Sequence, residues 1–199
     1  MQKFVLASNN KGKLREFNDM FSRMSINVLP RSEFNIEEVE ETGLSFVENA
    51  ILKARNAALH SGLPAIADDS GIEVDALQGA PGIYSARFAG VGASDADNLK
   101  KLLDELKGVP TEKRTARFQC LLVYMRHAND PTPVICQGTW EGVILEAPQG
   151  ENGFGYDPVF LPKGYSKTFA EMSLKEKSEI SHRGRATRKL IEFLSKNNK

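Results

Sequence analysis

Cysteine is scarce in this chain: Cys120 and Cys136 are its only two, and both fall in strand-like stretches. That excludes a disulfide-built scaffold, reads as two buried reduced thiols, and predicts a reducing, cytoplasmic setting. Neither sign of charge is in excess, with Lys+Arg 26 against Asp+Glu 26, which argues against nonspecific binding to nucleic acid. No apolar run is long enough to span a bilayer. The short apolar opening Phe4-Val5-Leu6-Ala7 meets the polar Ser8-Asn9-Asn10-Lys11, so no signal peptide is expected. Internal repeats and low-complexity tracts are absent, and no Gly-Lys-Ser/Thr phosphate loop occurs at residues 8–13.

What remains is an ordinary globular composition, 41% hydrophobic and 26% charged over 199 residues, enough for one domain, residues 1–199, with a substantial core. Lys3 to Ala7 reads as a buried strand. Leu14, Phe17, Met20, Phe21 and Met24 follow at helical spacing, and Ile26 to Leu29 as a second strand. Ser45 and Glu48 form a capping-box pattern before a helix that Gly62 should stop. Ala65 to Ala67 predicts a short strand ending at Asp68-Asp69, with Ile72, Val74 and Ala76 alternating as a strand leaving it. Leu99, Leu102, Leu103 and Leu106 mark another helix. Thr115 to Arg126 and Val134 to Leu145 read as a long antiparallel pair joined through Asn129-Asp130-Pro131. Ser173 and Glu176 offer a second capping box, and Ala186, Leu190, Ile191 and Leu194 a final helix. Helices and strands mix without the regular alternation of a doubly wound fold. The expectation is therefore an α/β protein built on a long, bent mixed sheet with flanking helices.

Four polar clusters carry the chemistry. Ser8, Asn9, Asn10, Lys11, Gly12 and Lys13 make a strand-to-helix turn, which is either an ordinary capped helix start or an anion site at a dipole end. The acids Glu37, Glu38, Glu40 and Glu41 in one loop, with Asp68 and Asp69 elsewhere, offer hard oxygen ligands for Mg²⁺, although glutamates alone also read as a solvated charge run. Adjacent aspartates between apolar residues demand partners. The loop from Gly150 to Pro158 carries Phe154 and Tyr156, rings that either stack on a flat base or fill a core edge. Lys175, Lys177, His182, Arg183 and Arg185 gather near the start of the last helix, where cations oppose the dipole and suggest an anionic ligand or a basic surface.

The segments SNNKGK at 8 to 13, EETGLSFVENAILKA at 40 to 54, ADDSGIEVDALQGAPGIYSARFAG at 67 to 90, FGYDPVF at 154 to 160 and SHRGRA at 181 to 186 closely resemble those of the inosine triphosphate pyrophosphatases, the bacterial-type dITP/XTP pyrophosphatases. The resemblance runs over essentially the whole chain. It implies two lobes around a central active-site cleft, a homodimer, and Mg²⁺-dependent cleavage of ITP, dITP or XTP between the α and β phosphates, giving a monophosphate and pyrophosphate and so cleansing the nucleotide pool. It further implies that Ser8 to Lys13 cradle the triphosphate, and that Glu40 and Asp69 hold the metal. Asp69 would be the general base, Asp68 a supporting acid and Ser70 a substrate contact. Phe154, Gly155, Tyr156 and Asp157 would frame base and sugar, Lys177 would touch substrate, His182 and Arg183 would read the purine edge, and Lys53 would add charge. One departure stands out: many relatives have Thr-Gly-Asn where this chain has Ser8-Asn9-Asn10, which removes the residue best suited to a positive φ.

A C6 carbonyl separates inosine and xanthosine from adenosine, and donors at His182 and Arg183 would favour it; the wall that rejects guanine is not legible. Two rivals remain: a pyrophosphatase for modified pyrimidine or damaged nucleotides, and a noncatalytic nucleotide sensor, which would not need Glu40 and Asp69 together.

Overall fold

The computed structural model describes residues 2–197. Its strands are β1 (Gln2–Leu6), β2 (Ile26–Pro30), β3 (Ala65–Val74), β4 (Thr115–Met125), β5 (Val134–Ile144) and β6 (Phe160–Pro162), and its α-helices are α1 (Lys11–Phe21), α2 (Phe46–Ser61), α3 (Asp95–Glu105), α4 (Leu174–Ile180) and α5 (His182–Asn197). The sheet runs β2-β1-β3-β4-β5-β6. β1 pairs parallel with β2 and β3, whereas β5 and β6 are antiparallel, so the sheet is mixed.

The helix boundaries follow local chemistry. Asn10, Ser45, Ser94 and Ser173 each accept a backbone N–H three residues on and start α1 to α4 respectively, and such caps typically stabilise by about 1 kcal/mol. Gly62 closes α2 at φ 67°, a left-handed conformation that glycine adopts without a Cβ clash.

Two compact units form: one of residues up to Asp69, Cys120–Gly138 and from Arg183 on, the other of Ser70–Gln119 and Thr139–His182. In the first, alternation along the strands sorts the core. Phe4, Leu6, Ile66, Leu122 and Tyr124 bury one sheet face with Phe17 and Phe21 of α1 and Ala186, Leu190 and Leu194 of α5. Val5 and Ala65 instead meet Ala57 and Ala58 of α2, and Ala67, Val123 and Met125 meet Ala50 and Ala54 of the same helix. In the second unit Ile72, Val74, Ala116, Phe118, Trp140 and Ile144 pack with Leu102, Leu106, Phe160 and Phe169. Intervening strand positions are polar: Arg117 clasps Asp75 through two hydrogen bonds of 2.8 and 2.9 Å and also reaches Glu141.

β3 corrects one expectation. The acidic step does not end a strand; Asp68 and Asp69 lie within ten continuous strand residues, and the chain leaves the sheet at Asp75–Leu77 as a short 3-10 turn, so Ala76 is not in a strand. A strand passes two carboxylates through a core here because each finds a buried cation.

Candidate functional site

Successive strand residues face opposite sides of a sheet, and the two aspartates therefore enter different networks of the first unit. Asp68, its side chain 0% exposed, receives the Lys13 ammonium on Oδ1 at 3.0 Å and the Arg183 guanidinium on Oδ2 at 2.5 Å. Arg183 extends the chain of charges to Glu16 at 2.7 Å, and the Cys120 thiol also points at Asp68 Oδ2, 3.8 Å away. Burial alone would push the Arg183 guanidinium toward neutrality, but Asp68 and Glu16 more than reverse that and hold it charged. This is a hydrogen-bonded carboxylate–guanidinium chain, the form in which buried charges persist.

On the other face Asp69 Oδ1 meets the Lys53 ammonium at 2.6 Å, and the same ammonium reaches Glu41 Oε1 at 2.8 Å and the Asp68 carbonyl at 3.2 Å. Asp69 Oδ2 is buried without a hydrogen-bond partner. Burial raises the Asp69 carboxyl above the usual range, against the opposing pull of Lys53. For Lys53 burial acts downward, and Asp69 and Glu41 overcome it and raise the ammonium. Glu41 and Asp69 thus share Lys53, as Glu16 and Asp68 share Arg183.

The turn before α1 is a capped helix start with chemistry to spare. Asn10 accepts from Lys13 N–H at 3.0 Å, and Ser8 Oγ accepts from Asn10 N–H at 3.1 Å. Asn9 is not among the residues of positive φ; its side chain accepts from Ser32 N–H at 3.0 Å. Replacing glycine there costs no left-handed strain, and it ties the turn to the segment after β2. Lys11 is exposed, and Gly12 and Lys13 are half-buried.

The second unit holds the other predicted cluster. Lys177, in α4, lies 2.5 Å from Asp157 Oδ2, which also accepts from Phe154 N–H at 3.0 Å. The Lys177 ammonium sits 5.8 Å from the Phe154 ring centroid and 5.1 Å from that of Phe169, within cation–π range. Gly155 N–H donates to Asp95 at 2.8 Å and Tyr156 Oη to the Ser85 carbonyl at 2.7 Å, so the loop is pinned at successive residues. Gly153 has φ +85°, and a Cβ there would strike the Asp157 carboxylate and the Lys177 ammonium. His182, buried as the first residue of α5, stacks on Phe118 with centroids 4.8 Å apart and planes 10° from parallel.

The sequence model of the Ham1 family matches residues 4–193. The chain belongs to the Ham1 family. The dITP/XTP pyrophosphatase of Shewanella oneidensis is 61% identical over 191 residues, covering 96% of this chain and 93% of that protein. The dITP/XTP pyrophosphatase of Photobacterium profundum is 57% identical over 194 residues, 98% of each. Among solved structures, a HAM1 protein from Coxiella burnetii superposes with a TM-score of 0.91 at 46% identity, covering 98% of this chain and 100% of that one. The Ham1 protein of Staphylococcus aureus gives 0.86 at 43%, with the same coverages.

Within this Ham1 chain the structure brings Lys13, Lys53, Asp68, Asp69 and Arg183 into the networks of the first unit, and Phe154, Asp157 and Lys177 into one cluster of the second. Ser70, half-buried, follows Asp69 directly. Glu40 is exposed, whereas its neighbour Glu41 is the acid joined to Asp69 through Lys53. Arg183, expected at a purine edge, has Asp68 and Glu16 as its partners. Sequence reasoning passed over Glu16, Glu41 as distinct from Glu40, and Asp95. A carboxylate on the apolar side of α1, three residues after Lys13, was the available signal for Glu16.

Proposed function

We propose that this chain hydrolyses the non-canonical purine nucleotides ITP, dITP and XTP to monophosphate and pyrophosphate, cutting the α–β phosphoanhydride bond with Mg²⁺ as cofactor. The observation that carries the reading is Asp69 Oδ2, a buried carboxylate oxygen with no partner, in a member of the Ham1 family with relatives named dITP/XTP pyrophosphatase.

The residues fit Mg²⁺: Asp69 presents an unpartnered hard oxygen, and Glu41, next to Glu40 in the 37–41 loop, shares the Lys53 ammonium with it. Mg²⁺ commonly takes one or two carboxylates and completes its shell with water and phosphate oxygens. Glu40 and Asp69 would hold it; when bound it neutralises triphosphate oxygens and acidifies water. Burial raises the Asp69 carboxyl above the usual range, which makes it a stronger proton acceptor than an exposed aspartate. Lys53 holds Asp69 Oδ1 and so aims Oδ2. Ser8 to Lys13 would receive phosphates through the amides and charge at the start of α1, with Asp68 orienting Lys13 and Ser70 touching substrate. Phe154, Gly155, Tyr156 and Asp157 are assigned to base and sugar, Lys177 to a substrate anion, and His182 and Arg183 to the purine carbonyl. Homodimerisation and a cytoplasmic location complete the proposal; among the described residues no helix is long and apolar enough to cross a membrane.

Incubating the pure protein with ITP, XTP, GTP and ATP, with and without Mg²⁺, and separating pyrophosphate from orthophosphate tests reaction and specificity together. Pyrophosphate from ITP and XTP only with Mg²⁺ is the expected result. Orthophosphate release, or nucleotide binding without turnover as in a sensor, would overturn it.

A further inference from the structure

The acidic loop that precedes α2 is tied to that helix at its start, where Asn56 donates to the Glu37 carbonyl at 3.1 Å, and again at Glu41 and Gly43. Lys53 holds Glu41. One turn earlier on the same helical face, Asn49, 0% exposed, accepts the Gly43 N–H on Oδ1 at 2.8 Å. Gly43 does not have a positive φ; it is needed for room, because a Cβ would lie 2.5 Å from Glu48 Cβ and 2.7 Å from Asn49 Oδ1. The Asn49 amide nitrogen is buried with no partner, so this side chain is kept in the core for its single acceptor bond to the loop, at the cost of an unmet donor. A side chain serving packing alone would be better replaced by an apolar one of like size.

We infer that Asn49 is a positioning residue: with Gly43 as its fitted counterpart, it sets the 40–43 backbone so that the loop carboxylates stand ready for the cation before nucleotide or metal arrives. The inference rests on the Mg²⁺ reading above. Partners one step removed from metal ligands typically contribute about 10- to 100-fold in metal affinity.

The test is made on nucleotide-free protein with Mn²⁺ as the probe, its binding followed by the loss of the free-ion EPR signal, together with hydrogen exchange at the Gly43 amide and thermal melting. Asn49→Ala should weaken Mn²⁺ binding by about tenfold or more and speed Gly43 exchange, and Gly43→Ala should do the same from the other side of the contact. Asn49→Asp keeps the acceptor and should keep both Gly43 protection and Mn²⁺ affinity near or above the wild-type values. Unchanged Mn²⁺ affinity and Gly43 exchange in Asn49→Ala, with a lowered melting temperature alone, would make Asn49 a packing residue and overturn the inference. So would equal losses in Asn49→Asp and Asn49→Ala. If wild type itself binds no Mn²⁺, the metal reading fails separately, and with it the readiness of the loop for a cation, while Gly43 exchange still reports whether the clasp exists.

Discussion

The Lys53 ammonium stands 2.6 Å from Asp69 Oδ1 and leaves Asp69 Oδ2 buried and unpartnered. The ammonium fixes one oxygen of the carboxylate, and the other carries no hydrogen bond.

Asp69→Asn should therefore reduce kcat by about 10²- to 10⁴-fold, the usual reach of a lost general base, while the melting temperature stays close to wild type. Steady-state kinetics beside a thermal melt decides it, and unchanged turnover would remove Asp69 from the mechanism.

Arg183→Ala strands the buried Glu16 carboxylate and leaves the buried Asp68 without its guanidinium partner, with Lys13 remaining on Oδ1, and should destabilise the protein by about 3–5 kcal/mol. Denaturant unfolding measures that loss. Arg183→Lys should recover only part of it, since one ammonium does not reproduce a guanidinium shared between two acids. The base-reading role requires, in addition, that kcat/KM for ITP fall much further than for ATP; equal losses would leave Arg183 a purely structural clasp.

Gly153→Ala forces a methyl against Asp157 and Lys177 at a position of φ +85°. If that cluster holds the nucleoside, KM for ITP should rise by about tenfold with a smaller change in kcat. A parallel fall in kcat with KM constant would place the cluster outside substrate binding.

Asp130 gives a prediction about acid stability. Arg126 first, and the Arg126 and Thr132 N–H groups with it, hold its carboxyl well below the usual range. A carboxyl lowered in the folded state contributes stability that is present above its unfolded value near pH 4 and is lost as pH falls through the folded one. Unfolding free energies of wild type and Asp130→Asn should differ by about 1.5–3 kcal/mol near pH 7 and converge on acidification. A gap that is constant with pH would mean that Asp130 acts by shape alone.

Much of the fold was legible because its signals are local. Ser45 and Ser173 announced their helices, Gly62 the stop of α2, and β-rich runs the long strands β4 and β5. The Ser94 cap of α3, with Asp97 reciprocating, carries the same signature and went unread. The continuity of β3 was hidden because two adjacent acids look like a boundary until their partners are known. Those partners are remote: Arg183 lies 115 residues from Asp68 and 167 from Glu16 in sequence, separations that no periodicity reports. The chemistry of the candidate site could thus be named from residue types. Which glutamate of the 37–41 loop turns inward depends on where the Lys53 ammonium falls, and that is a property of packing.

The opposed faces of Asp68 and Asp69 bear on which mutations the chain can survive. A substitution at either position disturbs one network and spares the other. Deleting or inserting a single residue between Ala65 and Asp68 would flip everything downstream to the opposite face of the sheet. A deletion would put Asp69 where Asp68 stood and Asp68 where Ala67 stood, so that only one of the two acids would still meet a cation. Indel tolerance should accordingly collapse within that four-residue window, making strand length there as heritable a constraint as the identity of either aspartate.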